Sequence, residues 1–151
     1  MNLYFDVCCL NRPFDQQKHD LIRLEAEAMK AIFRRISKKG WRWISSEVVN
    51  FEISNTPDPV KRNHLEILVR KAHIILPWDQ TIQKRGLEIE HFGFDALDSL
   101  HIAAAEEGKV DIFLTSDKKL LNLGVRMAKN IALQVQNPLS FIMEQQKNGK
   151  K

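Results

Sequence analysis

Asn2-Leu3-Tyr4-Phe5-Asp6-Val7 is a short apolar run that meets a carboxylate at Asp6. Ile112-Phe113-Leu114-Thr115-Ser116-Asp117 repeats the design far along the chain, with the acid two residues beyond Thr115. Runs this short and this apolar have the character of strands buried on both faces. Similar stretches at Trp41–Ser45, His73–Leu76 and Ala132–Val135 predict the remaining strands. Between them the spacing changes to three and four. Leu21, Leu24, Ala28, Ile32 and Ile36 place one face of a helix over about 15–39 on a core, and Gly40 is positioned to end it. Further helices are expected over about 47–53, 58–71, 79–92, 95–107 and 117–127. Asn137-Pro138 opens a last one. Strands alternating with helices predict an α/β fold: a three-layer α/β/α sandwich around a mostly parallel sheet of four or five strands. In such sheets ligands bind beyond the carboxyl ends of the strands.

The chain of 151 residues is one domain's worth. Residues 1–146 read as the folded body and 147–151 as a polar basic tail. No apolar run reaches the length of a membrane span, about 20 residues. Met1-Asn2-Leu3-Tyr4 has neither the basic start nor the cleavage site of a signal peptide. A cytoplasmic, membrane-free protein is expected. The adjacent Cys8 and Cys9 are poorly placed for a relaxed disulfide and too few for a structural zinc site. They read as small reduced side chains. The net charge of +4 falls to +1 without Lys147, Lys150 and Lys151. Lys30, Arg34, Arg35, Lys38, Lys39 and Arg42 have no acid among them. They form either a phosphate-facing patch or a solvated helix end whose dipole favours cations.

Four acids fall where the fold directs attention. Asp6, Glu47 and Asp117 each follow a strand, and a parallel sheet brings such positions to one edge. Asp98 stands in the first turns of the helix before the fourth strand. Each has a structural alternative: Glu47 and Asp117 suit helix N-termini, and Asp95 with Asp98 resembles a capping box. Convergence of all four is harder to explain structurally, because like charges at short range oppose folding unless a cation joins them. All-oxygen ligation favours Mg²⁺ or Mn²⁺, which can polarise a phosphodiester for hydrolysis. The chain contains no G-x-x-x-x-G-K, G-x-G-x-x-G or G-x-S-x-G motif.

Tyr4-Phe5-Asp6-Val7-Cys8-Cys9-Leu10-Asn11-Arg12-Pro13, Ser46-Glu47, Asp98-Ser99-Leu100-His101-Ile102-Ala103 and Leu114-Thr115-Ser116-Asp117 occur in an order that resembles the PIN-domain nucleases, including VapC-type toxins. The resemblance implies a metal-dependent endoribonuclease, the toxin of a toxin–antitoxin pair. It also implies an RNA substrate, a small antitoxin partner and a homodimer. It assigns Asp6, Glu47, Asp98 and Asp117 to catalysis and to the metal. Asp95 falls outside the minimal pattern and reads as a cap. Ser99 replaces the family's usual alanine. Asn11, Arg12 and Lys118, with Lys119, flank the acids and could contact phosphates. His101 shares a helical face with Asp98 and either orients a carboxylate, touches phosphate or packs as a hydrogen-bonded core residue. Thr115 and Ser116 could support the acids. Trp41, Trp43 and Trp78 read as core anchors before base-stacking platforms. A DNA nuclease and a non-catalytic RNA- or protein-binding module are the alternative functions.

Overall fold

The computed structural model describes residues 1–149; Lys150 and Lys151, from the expected tail, lie outside the described residues. Five strands, β1 (Asn2–Phe5), β2 (Arg42–Ser46), β3 (Ile74–Leu76), β4 (Ile112–Leu114) and β5 (Gln134–Gln136), pair in parallel in the order β3-β2-β1-β4-β5. The helices are α1 (Val7–Asn11), α2 (Asp20–Lys39), α3 (Glu47–Ser54), α4 (Pro59–Val69), α5 (Gln80–Glu90), α6 (Ala96–Glu107), α7 (Lys118–Arg126) and α8 (Pro138–Gly149). This is the α/β/α sandwich expected from the alternation, with the sheet parallel throughout. No helix among the described residues is long and apolar enough to cross a membrane.

Two neighbours on β1 show how both faces are filled. Successive strand side chains point to opposite faces. Phe5 meets Phe33 of α2 and Trp43, each with ring centroids 5.4 Å away. Tyr4 turns the other way, stacking on Phe113 at 5.2 Å and meeting His101 of α6 edge-on at 5.8 Å. Thus α2 and α6 cover opposite faces. Gly86 of α5 lets α6 approach closely, since a Cβ there would stand 2.8 Å from Leu100 Cδ2.

The helix expected from about 15 begins at Asp20, and the five-residue α1 precedes it. The Asp6 carboxylate turns the chain into α1 by accepting from the Val7 N–H at 2.8 Å. Leu21 and Leu24 remain 47% and 51% exposed, so the apolar face of α2 starts later than its spacing implied. Buried Glu25 occupies that end, accepting from Arg12 Nε at 2.9 Å and Asn137 Nδ2 at 2.7 Å. Gly40 ends α2 in the left-handed region at φ 74°, which favours glycine. α8 continues through Lys147 to Gly149, within the segment read as a tail.

Candidate metal centre

Strand order reverses about β1: β2 and β3 lie on one side, β4 and β5 on the other. That switch point is where an open parallel sheet leaves a crevice. Asp6 stands in it, immediately past β1. Its N–H donates to the Leu114 carbonyl at 2.9 Å, extending the pairing with β4. Its Oδ2 accepts from the Thr115 hydroxyl at 2.9 Å and the Cys8 thiol at 3.3 Å, so both carboxylate oxygens are held. Thr115 Oγ1 in turn accepts from the Asp117 N–H at 3.1 Å, linking the two strand-end acids. Asp117 caps α7 through Oδ1 alone, accepting from Lys119 N–H at 2.9 Å and Leu120 N–H at 3.2 Å.

Helices α3 and α6 complete the cluster. Asp98 lies one turn before His101 on α6, so the two share a face. His101 is completely buried. Its Nδ1 meets Tyr4 Oη at 2.8 Å, and its Nε2 meets Glu52 Oε1 at 2.8 Å. Tyr4 Oη also meets Ser46 Oγ at 2.7 Å. One ligand atom each from Asp6, Glu52 and His101 lies within 4.8 Å of the others.

Crowding and burial set the charge states. Burial pushes the Asp6 carboxyl above its ordinary range and the Glu52 charge adds to this, against His101 and the bonds from Cys8 and Thr115. Asp98 is pushed up to about 7, first by burial, then by the charges of Asp6, Asp117 and Asp95, with His101 opposing. Burial would lower His101, but its bond to Glu52 and the charges of Asp6, Glu52 and Asp98 outweigh this and raise it.

A pH dependence follows for the metal-free protein. An unfolded Asp releases its proton near pH 4, whereas folded Asp98 keeps one until about 7. The stabilising contribution is therefore complete below pH 4 and is lost as pH rises through 7. His101 contributes with the same sign. Solvent screening of the half-buried Asp98 reduces its share to roughly 1–2 kcal/mol. In EDTA, Tm should fall by about 2–8 °C between pH 5 and pH 8. A flat or rising profile in a thermal melt series would contradict the charge crowding.

The charges of Asp6 and Asp117 raise Asp98, so these three acids are neighbours, whereas the ligand atoms that converge with Asp6 belong to Glu52 and His101 and not to Glu47. Glu47 is an exposed first residue of α3, at the edge of a 410 Å³ apolar cavity lined also by Val48, Phe51, Trp78, Leu97 and Leu100. It is not among the leading charges that raise Asp6 or Asp98. Five residues turn a helix by about 140° net, so Glu47 and Glu52 face different ways. Glu52 is the acid of α3 that reaches the cluster, and reading the sequence overlooked it. Its signal was modest: an acid on the other face of a helix that starts at a strand end.

The basic candidates divide similarly. Arg12 is engaged internally, with Nε on Glu25 and Nη1 on Asp15, both at 2.9 Å; Lys61 also holds Asp15 at 2.5 Å. Asn11 lines a cavity of about 530 Å³ that Glu52 also borders, together with Asn55, Thr56 and Lys61. Its Oδ1 is buried without a hydrogen-bond partner among the described residues. Lys118 is exposed at the start of α7, next to Asp117. Asp95 occupies the N-cap position of α6, but its side chain makes no capping bond and meets Lys119 Nζ at 3.3 Å. The run from Lys30 to Arg42 leads along α2 into the start of β2, at the sheet edge opposite the acids. Trp43 is buried, whereas Trp78 is 47% exposed.

No family model and no curated protein matches the chain. Among solved structures it is similar to a chain of VapBC2 from Rickettsia felis, crystallised bound to a DNA fragment from its promoter. The identity is 12%, the match covers 91% of this chain and 98% of the other, and the TM-score is 0.58. At that identity the likeness is one of fold.

Proposed function

From the PIN-type fold it shares with that VapBC2 chain, we propose that this protein is a metal-dependent endoribonuclease, the toxin of a toxin–antitoxin pair. The observation that carries the nuclease reading is the cluster of Asp6, Glu52, Asp98 and Asp117 at the sheet's switch point. The donor set fits a divalent cation: Asp6 and Glu52 bring carboxylate oxygens within 4.8 Å of each other beside His101, with Asp98 and Asp117 adjoining. Carboxylate oxygens suit Mg²⁺ or Mn²⁺. When bound, the ion supplies Lewis-acid polarisation of a phosphodiester and offsets its negative charge.

The chain's own residues then divide the work. Asp6, immobilised by Val7, Thr115 and Cys8, fixes the reference position of the site. Glu52 and Asp98 approach from α3 and α6. The Oδ2 of Asp117 remains clear of the capping bonds on α7. The cavity beside Glu52 gives a nucleic-acid strand room, and Asn11 Oδ1 there lacks a donor. The choice of RNA over DNA rests on the family resemblance, and so do the antitoxin and the homodimer. Cleavage of matched RNA and DNA oligonucleotides separates the two substrates. Growth arrest on expression, relieved by a co-expressed small partner, tests the toxin assignment. Normal growth with active protein would remove that assignment and leave the nuclease.

Metal should also stabilise the folded chain. At 100 times Kd a ligand specific for the native state adds about 2.7 kcal/mol. For a domain of this size that corresponds to a Tm rise of roughly 5–10 °C. Thermal melts in Mg²⁺ or Mn²⁺ against EDTA measure it. No shift at millimolar metal, in a folded protein, would favour the non-catalytic module.

A further inference from the structure

We infer that His101 is a positioning residue, and that the chain Ser46–Tyr4–His101–Glu52 sets where the Glu52 carboxylate stands in the metal centre. This inference rests on the proposed metal site and goes further by assigning a task to three residues that are not themselves among its acids.

The geometry is continuous from one end to the other. Ser46 closes β2 and caps α3, its Oγ accepting from the Val49 N–H at 3.4 Å. The same oxygen meets Tyr4 Oη at 2.7 Å; Tyr4 Oη meets His101 Nδ1 at 2.8 Å; His101 Nε2 meets Glu52 Oε1 at 2.8 Å. Tyr4, Ser46 and His101 are at most 1% exposed, whereas Glu52 is partly exposed. The imidazole is therefore fixed on both nitrogens and acts as a rigid rest for a longer, freer side chain. Without that rest, a glutamate loses the ordering of its side-chain rotamers, which must then be supplied on metal binding. The chain also ties α3 to α6. Glu52 is on α3, and Asp98 is on α6 one turn from His101, so one imidazole fixes the relation between carboxylates on separate helices. Groups that orient a metal ligand typically contribute 10–100-fold to metal affinity.

The test is binding of Mn²⁺ alone, followed by calorimetry or by its EPR signal, in full-length wild type and variants. Asparagine at 101 places an amide near the Nδ1 position and leaves Glu52 without a partner. Glutamine places one near Nε2 and restores it. His101→Asn should weaken Mn²⁺ binding by about 10–100-fold, and His101→Gln should recover most of it. Both lose the ring, so both should lose stability alike; a purely structural histidine would show no such split. Combined with Glu52→Gln, His101→Asn should add little further loss, because it acts through Glu52. Tyr4→Phe deletes one oxygen, keeps the packing and should weaken binding about 3–10-fold. It decides the question if the Asn variant does not fold. Wild-type affinity in folded His101→Asn, or in Tyr4→Phe where that variant stands in, would overturn the inference while leaving the metal site. Wild-type protein that takes no Mn²⁺ removes the metal site and the inference together.

Discussion

Asp6→Asn is expected to slow RNA cleavage at least about 100-fold while leaving the metal-free protein as stable as wild type or slightly more so. Loss of a group that merely supports a metal ligand costs 10–100-fold, and loss of the ligand's own charge should cost more. Stability should behave differently because the substitution preserves shape. The Asn oxygen can still accept from the Val7 N–H, which Asp6 receives at 2.8 Å. Its amide can donate to Thr115 Oγ1, whose own proton can turn to the Cys8 sulfur 3.4 Å away. One negative charge leaves a cluster that includes Glu52, Asp98 and Asp117, and repulsion falls. Denaturation in EDTA and cleavage rates on the same preparations check this. An Asn variant about 1–3 kcal/mol less stable that still cut at the wild-type rate would make Asp6 a structural cap.

The second large effect separates two glutamates of one helix. Glu52→Gln should also reduce cleavage about 100-fold or more, whereas Glu47→Gln should remain within about twofold of wild type. Glu52 meets His101 at 2.8 Å, and its charge helps push the Asp6 carboxyl above its ordinary range. Glu47 is exposed at the start of α3, where its charge favours the helix dipole. Losing that charge costs roughly 0.3–1 kcal/mol of stability and no chemistry. Cleavage rates of the two variants at saturating metal measure the difference. A dead Glu47→Gln beside an active Glu52→Gln would return the site to the assignment implied by family resemblance.

That contrast shows which information the residues carried openly. The parallel sheet and sandwich architecture were legible because apolar runs and helical spacings alternate without a break; the order of the strands within the sheet was not. Asp6 and Asp117 were legible because a strand end leaves little freedom for the next side chain. Helix α1 was concealed because Val7-Cys8-Cys9-Leu10 is as apolar as the strand before it, and the turn is set by hydrogen bonds that Asp6 accepts from Val7 and from the backbone of Cys9 and Leu10. Glu52 was concealed because proximity to a strand end favoured Glu47, whereas the helical turn decides which acid faces inward. Arg12 looked available in its loop; its partner Glu25 is brought to it only by the packing of α2. His101 shows both a packed residue and a carboxylate-bonding one in a single side chain: it is buried, and its Nε2 meets Glu52.

The most direct test is cleavage of a labelled cellular RNA pool by wild-type protein in Mg²⁺ or Mn²⁺, against EDTA, with Glu52→Gln as the matched control. The account predicts fragments that appear only with metal and only with Glu52 intact. Fragments that persist in EDTA, or an RNA pool left whole by folded protein in millimolar Mn²⁺, would contradict it.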